Sequence, residues 1–199
     1  MSRVVTLYFD VVCPFAYLAS TQLDALIEGT DATIDLRPIL LGGLFRQIGQ
    51  VDDPNRVMPA AKVAHMRRDL ARWAQRFDVP LRMPAAHPRR TVLAMRVLSA
   101  LEGEARRRAM HALFAAYWAD GLDVAVPDVI VRVLDAIGLE GTALLEAAGT
   151  ETVKTALFAS TEEAARSGAF GVPTFVVDGE LFWGQDRIDW VRERLVRAA

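Results

Sequence analysis

The residue type best suited to covalent chemistry occurs once: Cys13 is the sole cysteine of the chain. It sits in "VVCPFAYLAS", where an apolar, β-branched run gives way to helical spacing at Pro14. A helix start offers unpaired backbone N–H groups and the positive end of the helix dipole, and both favour an anion. A thiol there is expected to ionise below the ordinary thiol range and to be nucleophilic at neutral pH. The competing reading is a small buried apolar residue, because cysteines outside disulfides are among the most buried residue types. A single cysteine excludes an internal disulfide and any zinc site built on several thiolates. The three histidines (His65, His87 and His111) show no spacing with Asp or Glu that suggests a metal, and no glycine-rich phosphate loop is present.

The elements that must position Cys13 follow from the patterning. "RVVTLYFDVV" reads as a buried strand, with Pro14 placed in the first turn of the helix that follows. That helix runs through "FAYLASTQLDALIE" to Gly29, and "TIDLRPIL" is a second strand. A strand–helix–strand opening of this kind makes the two strands parallel. "LLGGLFRQIGQVDDPNRVMPA" reads as a long loop, and from Lys62 to Ser167 nearly everything is helical. The first of these helices places Val63, Met66, Leu70, Trp73 and Phe77 on one side. Further helices are expected over about 89–102, 104–119, 127–137 and 142–167, the last broken near Gly149. "PTFVVDG" and "ELFWG" then flank Asp178-Gly179, a strong hairpin signal, and "QDRIDWVRERLVRAA" closes as an amphipathic helix.

The order is β-α-β, a helical insertion, then β-β-α. Without the insertion this is a thioredoxin-like α/β arrangement, with residues 1–50 and 168–199 forming one domain and 51–167 the inserted helical domain. Pro173 in "FGVPTFVV" opens a strand, where it cannot donate to the ladder and must take a special position. In this arrangement it is expected to be cis and to face the helix start that carries Cys13.

Composition narrows the function. Hydrophobic residues make up 52% and charged residues 24%, a globular balance. The formal net charge of −2 gives no basic field for nucleic acid or an anionic membrane. Basic clusters such as Arg67/Arg68 and Arg106–Arg108 alternate with apolar residues, as solvated helix faces do. No apolar stretch is long enough to span a bilayer, and the start of the chain lacks a signal-peptide pattern. A cytoplasmic protein acting on a small molecule is the expectation, without nucleic acid, membrane or metal.

Three segments carry a resemblance. The opening "YFDVVCPFAYLAS", the helix "KVAHMRRDLARWAQRFDVPLRMP" and above all the closing "AFGVPTFVVDGELFWGQDRIDWV" resemble the 2-hydroxychromene-2-carboxylate isomerases. Their relatives, the kappa-class glutathione transferases of the DsbA-like thioredoxin superfamily, share the pattern. The resemblance spans essentially the full length and implies the DsbA/kappa-type fold. It implies glutathione, or another low-molecular-weight thiol, as cofactor, and a homodimer. Cys13 stands where the family usually has a serine that hydrogen-bonds and activates the glutathione thiol. Val172, before Pro173, would pair its backbone with the cysteinyl part of glutathione as an added strand does. Gln185 and Asp186 would hold the γ-glutamyl end, with Asp186 on its ammonium. Lys62 matches a residue near the glycyl carboxylate, Asp69 a polar position on the same helix, and Asp53 a loop position often filled by Asn. His65 and the segment around His87 border the substrate side, and Arg89 and Arg90 are candidates for a substrate carboxylate. His111 and the Phe182–Trp183 pair read as structural.

The implied reaction is reversible cis–trans isomerisation of an aromatic, conjugated carboxylate by thiol addition and elimination. Cysteine in place of serine opens a second reading, a monothiol disulfide oxidoreductase with Cys13 as nucleophile. A within-chain dithiol cycle is excluded, because the partner position of a C-P-x-C motif is Ala16. A third reading is a non-catalytic thiol- or peptide-binding module.

Overall fold

The structure, a computed structural model, describes residues 3–51 and 57–197. Strand β1 (Val4–Phe9) lies inside a four-stranded sheet of order β2-β1-β3-β4. It pairs in parallel with β2 (Thr33–Pro38), Leu7 opposite Leu36, as a helical crossover requires. On its other side it runs antiparallel to β3 (Thr174–Val177), which forms a hairpin with the edge strand β4 (Glu180–Trp183). The hairpin turns at Asp178 and Gly179, with φ of 50° and 79°. That is the left-handed pair a two-residue turn of right-handed twist demands.

The connection from β1 to β2 is two short helices, α1 (Pro14–Ser20) and α2 (Leu23–Ile27), where the periodicity predicts one. Ser20 and Thr21 donate their hydroxyls to the carbonyls of Tyr17 and Leu18 (2.7 and 2.8 Å). Such side-chain bonds compete with the helical ladder and break it there. A second departure is α3 (Leu41–Gln47), in a stretch that reads as loop because of its paired glycines. It forms because Leu44 and Phe45 bury themselves on the core side.

Helices α4 (Ala60–Arg76), α5 (Val92–Ser99), α6 (Gly103–Trp118), α7 (Pro127–Ala136), α8 (Gly141–Ala147) and α9 (Glu151–Arg166) precede the return to β3. A 3-10 turn (Gln185–Arg187) then leads into α10 (Ile188–Arg197). The sheet and the inserted helices share one hydrophobic core. Phe114 of α6 joins them, its ring 6.0 Å from Phe9 and 5.8 Å from Tyr17 of α1. Truncating such a ring costs about 3–5 kcal/mol, so the insertion and the Cys13 helix are held as one packed unit. Helix α4 packs against α1 separately, Leu70 and Ala74 enclosing Leu18.

Candidate active site

Cys13 is the N-cap of α1, with Pro14 as the first helical residue. Its N–H donates to the Asp10 carbonyl at 3.0 Å and its carbonyl accepts from Tyr17 N–H at 3.1 Å. The backbone of the turn is therefore fixed on both sides of the thiol. The Val172–Pro173 peptide is cis, as expected, and its loop faces Cys13. The Cys13 S–H donates to the Val172 carbonyl at 3.1 Å.

The thiol's acidity corrects the expectation drawn from its position. Burial pushes the Cys13 pKa up to about 12, although the N–H groups of Phe15 and Ala16 at the helix start pull the other way. The charge of Asp10 adds to the upward shift. Helix α1 is seven residues long and its first turn carries a proline, so few amides face the sulfur. Desolvation outweighs them, and Cys13 is a protonated hydrogen-bond donor.

The remaining residues of the closing motif gather beside this pair. Gly184 N–H donates to the Pro173 carbonyl at 2.9 Å, tying the proline loop to the Gln185–Arg187 turn. That turn packs against α1. Gly184 has φ 109°, and a Cβ there would collide with the Asp186 carboxylate. Gly171 is constrained on the other side, where a Cβ would meet Trp183 Nε1 at 2.7 Å. Trp183 itself is half-exposed and packs on Phe170 with ring centroids 4.9 Å apart.

Gln185 is 5% exposed, and Asp186 forms an ion pair with Arg187 at 2.7 Å. Both line a cleft of about 170 Å³ whose wall includes Trp73, Arg76 and Asp189. No hydrogen bond among the described residues uses the Val172 N–H. The cleft's lining includes neither Cys13 nor Val172, so the open Val172 N–H and the Asp186 carboxylate, the groups a peptide-like ligand with an ammonium would use, are not joined in one pocket.

Lys62 and His65 are exposed on α4, and Asp69 on the same helix lies 3.9 Å from Arg72. Asp53 lies outside the described residues. Arg89 pairs with Asp123 at 3.1 Å, and Arg90 is exposed. His87 Nδ1 lies 3.0 Å from the Tyr117 hydroxyl, and its ring packs 5.0 Å from Trp118. Trp118 Nε1 in turn donates to the Val11 carbonyl at 2.8 Å, so this cluster braces the turn that leads to Cys13. His111 is half-buried on α6, where burial and Arg107 hold its pKa down. Among the described residues no group of three metal-binding side chains forms. None of their helices is long and apolar enough to cross a membrane.

The DsbA-like thioredoxin domain profile matches residues 4–196. The chain belongs to the DsbA-like thioredoxin family. Within this family it is 31% identical to a 2-hydroxychromene-2-carboxylate isomerase of Sphingobium xenophagum, over 98% of this chain and 100% of the relative. It is 28% identical to glutathione S-transferase kappa 1 of Homo sapiens, over 95% and 89% of the two chains. A solved 2-hydroxychromene-2-carboxylate isomerase superposes with a TM-score of 0.88 at 27% identity, covering 98% of this chain and 95% of that one.

Two features of this DsbA-like site were not read from the sequence. Asp10 is buried at the end of β1, and Thr91 bonds to it from the start of α5. A carboxylate in an otherwise apolar strand, "YFDVV", is the signal that a buried and fully bonded charge lies there.

Proposed function

We propose that the protein is a glutathione-dependent isomerase or transferase of the 2-hydroxychromene-2-carboxylate isomerase type, acting in the cytoplasm on an aromatic or conjugated carboxylate. The observation that carries this reading is the Cys13 S–H donating to Val172 at 3.1 Å. A cysteine kept protonated is a hydrogen-bond donor, which is the role the resemblance gives to the family's serine. When bound, glutathione supplies the thiol that adds reversibly to the conjugated double bond. On binding, the Cys13 S–H would turn from the Val172 carbonyl to that thiol's sulfur and favour the thiolate. Val172 binds the peptide backbone, Gln185 and Asp186 take the γ-glutamyl end, and Lys62 the glycyl carboxylate. Pro173 keeps the loop in register with Cys13. His65, Arg89 and Arg90 border the substrate, and a homodimer is the assembly this reading carries.

The test is an absorbance assay for hydroxychromene isomerisation with glutathione, run beside an assay for reduction of mixed disulfides. Isomerisation that requires glutathione supports the reading. Disulfide reduction without isomerisation would make the protein a monothiol oxidoreductase instead.

A further inference from the structure

We propose that Asp10 is the positioning residue that keeps Cys13 a hydrogen-bond donor to Val172. Asp10 lies three residues before the thiol and is buried. Its Oδ1 accepts from Val12 N–H at 3.1 Å and from the Thr91 hydroxyl at 2.6 Å. Its Oδ2 accepts from Leu41 N–H at 2.9 Å, and its backbone carbonyl accepts from Cys13 N–H. One residue thus joins the Cys13 turn to the first residue of α3 and to the N-cap of α5.

All three partners of the carboxylate are donors, the arrangement a buried anion needs. Burial raises the Asp10 pKa while these three bonds lower it. Three donors on its two oxygens are the partners of a carboxylate, and Asp10 is the anion in this proposal. An anion in this place does two things. It clamps the turn so that the sulfur faces the Val172 carbonyl, and it opposes a second negative charge on that sulfur. The other groups that act on the sulfur are the N–H groups of Phe15 and Ala16, which favour the thiolate. Asp10 is the opposing charge, and so it selects donor chemistry over nucleophilic chemistry at Cys13.

The inference rests on Cys13 being the centre of the site, as proposed above. Its test reads the sulfur directly, so absence of isomerase activity does not decide it. The measurement is the rate of Cys13 alkylation against pH in the full-length protein, with folding checked by near-ultraviolet circular dichroism. Asp10→Asn removes the charge and sets an amide donor against Leu41 N–H, and the alkylation midpoint should fall by about one pH unit. Thr91→Val removes one tie and leaves the charge, so alkylation at fixed pH should rise severalfold, and Thr91→Ser should restore the parent rate. Leu134→Ala, a core change in α7, should lower thermal stability and leave the midpoint where it is. A parental midpoint in Asp10→Asn overturns the proposal, as does an equal fall in Leu134→Ala. If Asp10→Asn does not fold, the Thr91 pair decides: a parental rate in Thr91→Val overturns it.

Discussion

The Cys13 sulfur and the Val172 carbonyl oxygen meet at 3.1 Å, joining the start of α1 to the loop before β3. The contact needs a donor at position 13 and does not need a thiolate. Cys13→Ser supplies a hydroxyl donor of similar reach and should retain the proposed isomerase activity. Cys13→Ala removes the donor and should lower kcat/KM by about 100-fold, the usual cost of losing one such bond to a developing anion. Loss of activity in Cys13→Ser as complete as in Cys13→Ala would mean that the sulfur itself reacts.

The raised pKa has a consequence for stability. Unfolded Cys13 loses its proton near 9.0, whereas the folded thiol holds it up to about 12. Above pH 9 the unfolded state therefore binds fewer protons than the folded one, and stability falls as pH rises. The contribution is fully present below pH 9 and is lost between 9 and 12. Denaturant unfolding of the parent and of Cys13→Ala should converge or cross over that window. Parallel pH profiles would contradict the shift.

At the far end of the site, Asp186 is the carboxylate proposed for the ligand's ammonium. A charge-assisted bond of this type contributes roughly 1.5–3 kcal/mol, so Asp186→Ala should weaken glutathione binding about 10- to 100-fold. Titration calorimetry checks this, and unchanged affinity would remove Asp186 from the binding set.

Gly184 leaves the space that carboxylate occupies. With φ at 109° and the Asp186 Oδ1 where a Cβ would stand, a side chain at Gly184 must strain the backbone and displace that carboxylate. Gly184→Ala should cost about 1–3 kcal/mol of stability through backbone strain. It should also weaken glutathione binding by displacing Asp186. A variant of parental stability and affinity would show that the turn adapts.

Much of this architecture was legible in the residues. Strands β1 and β2 announce themselves by β-branched runs, and Asp178-Gly179 fixes the hairpin because only such a pair turns that way. Cys13 and Pro173 were legible as partners from their places at a helix start and a strand start. The break after Ser20 was not, because it depends on two hydroxyls choosing carbonyls within their own helix. Nor was α3, whose glycines argue for a loop until burial of Leu44 and Phe45 is known. The acidity of Cys13 was misread for a related reason. Position along a helix dipole can be seen in sequence, but desolvation depends on what the rest of the chain packs around the sulfur. Asp10 shows the same limit, since its three donors come from three separate segments.

The central claim is that Cys13 works as a neutral donor, and thiolate absorbance of the folded protein against pH tests it most directly. Cys13→Ser serves as the blank, because Cys13 is the only thiol of the chain. The account predicts no ionisation step below pH 9, with the rise displaced towards about 12. A step at neutral pH or below would contradict it and make Cys13 a nucleophile.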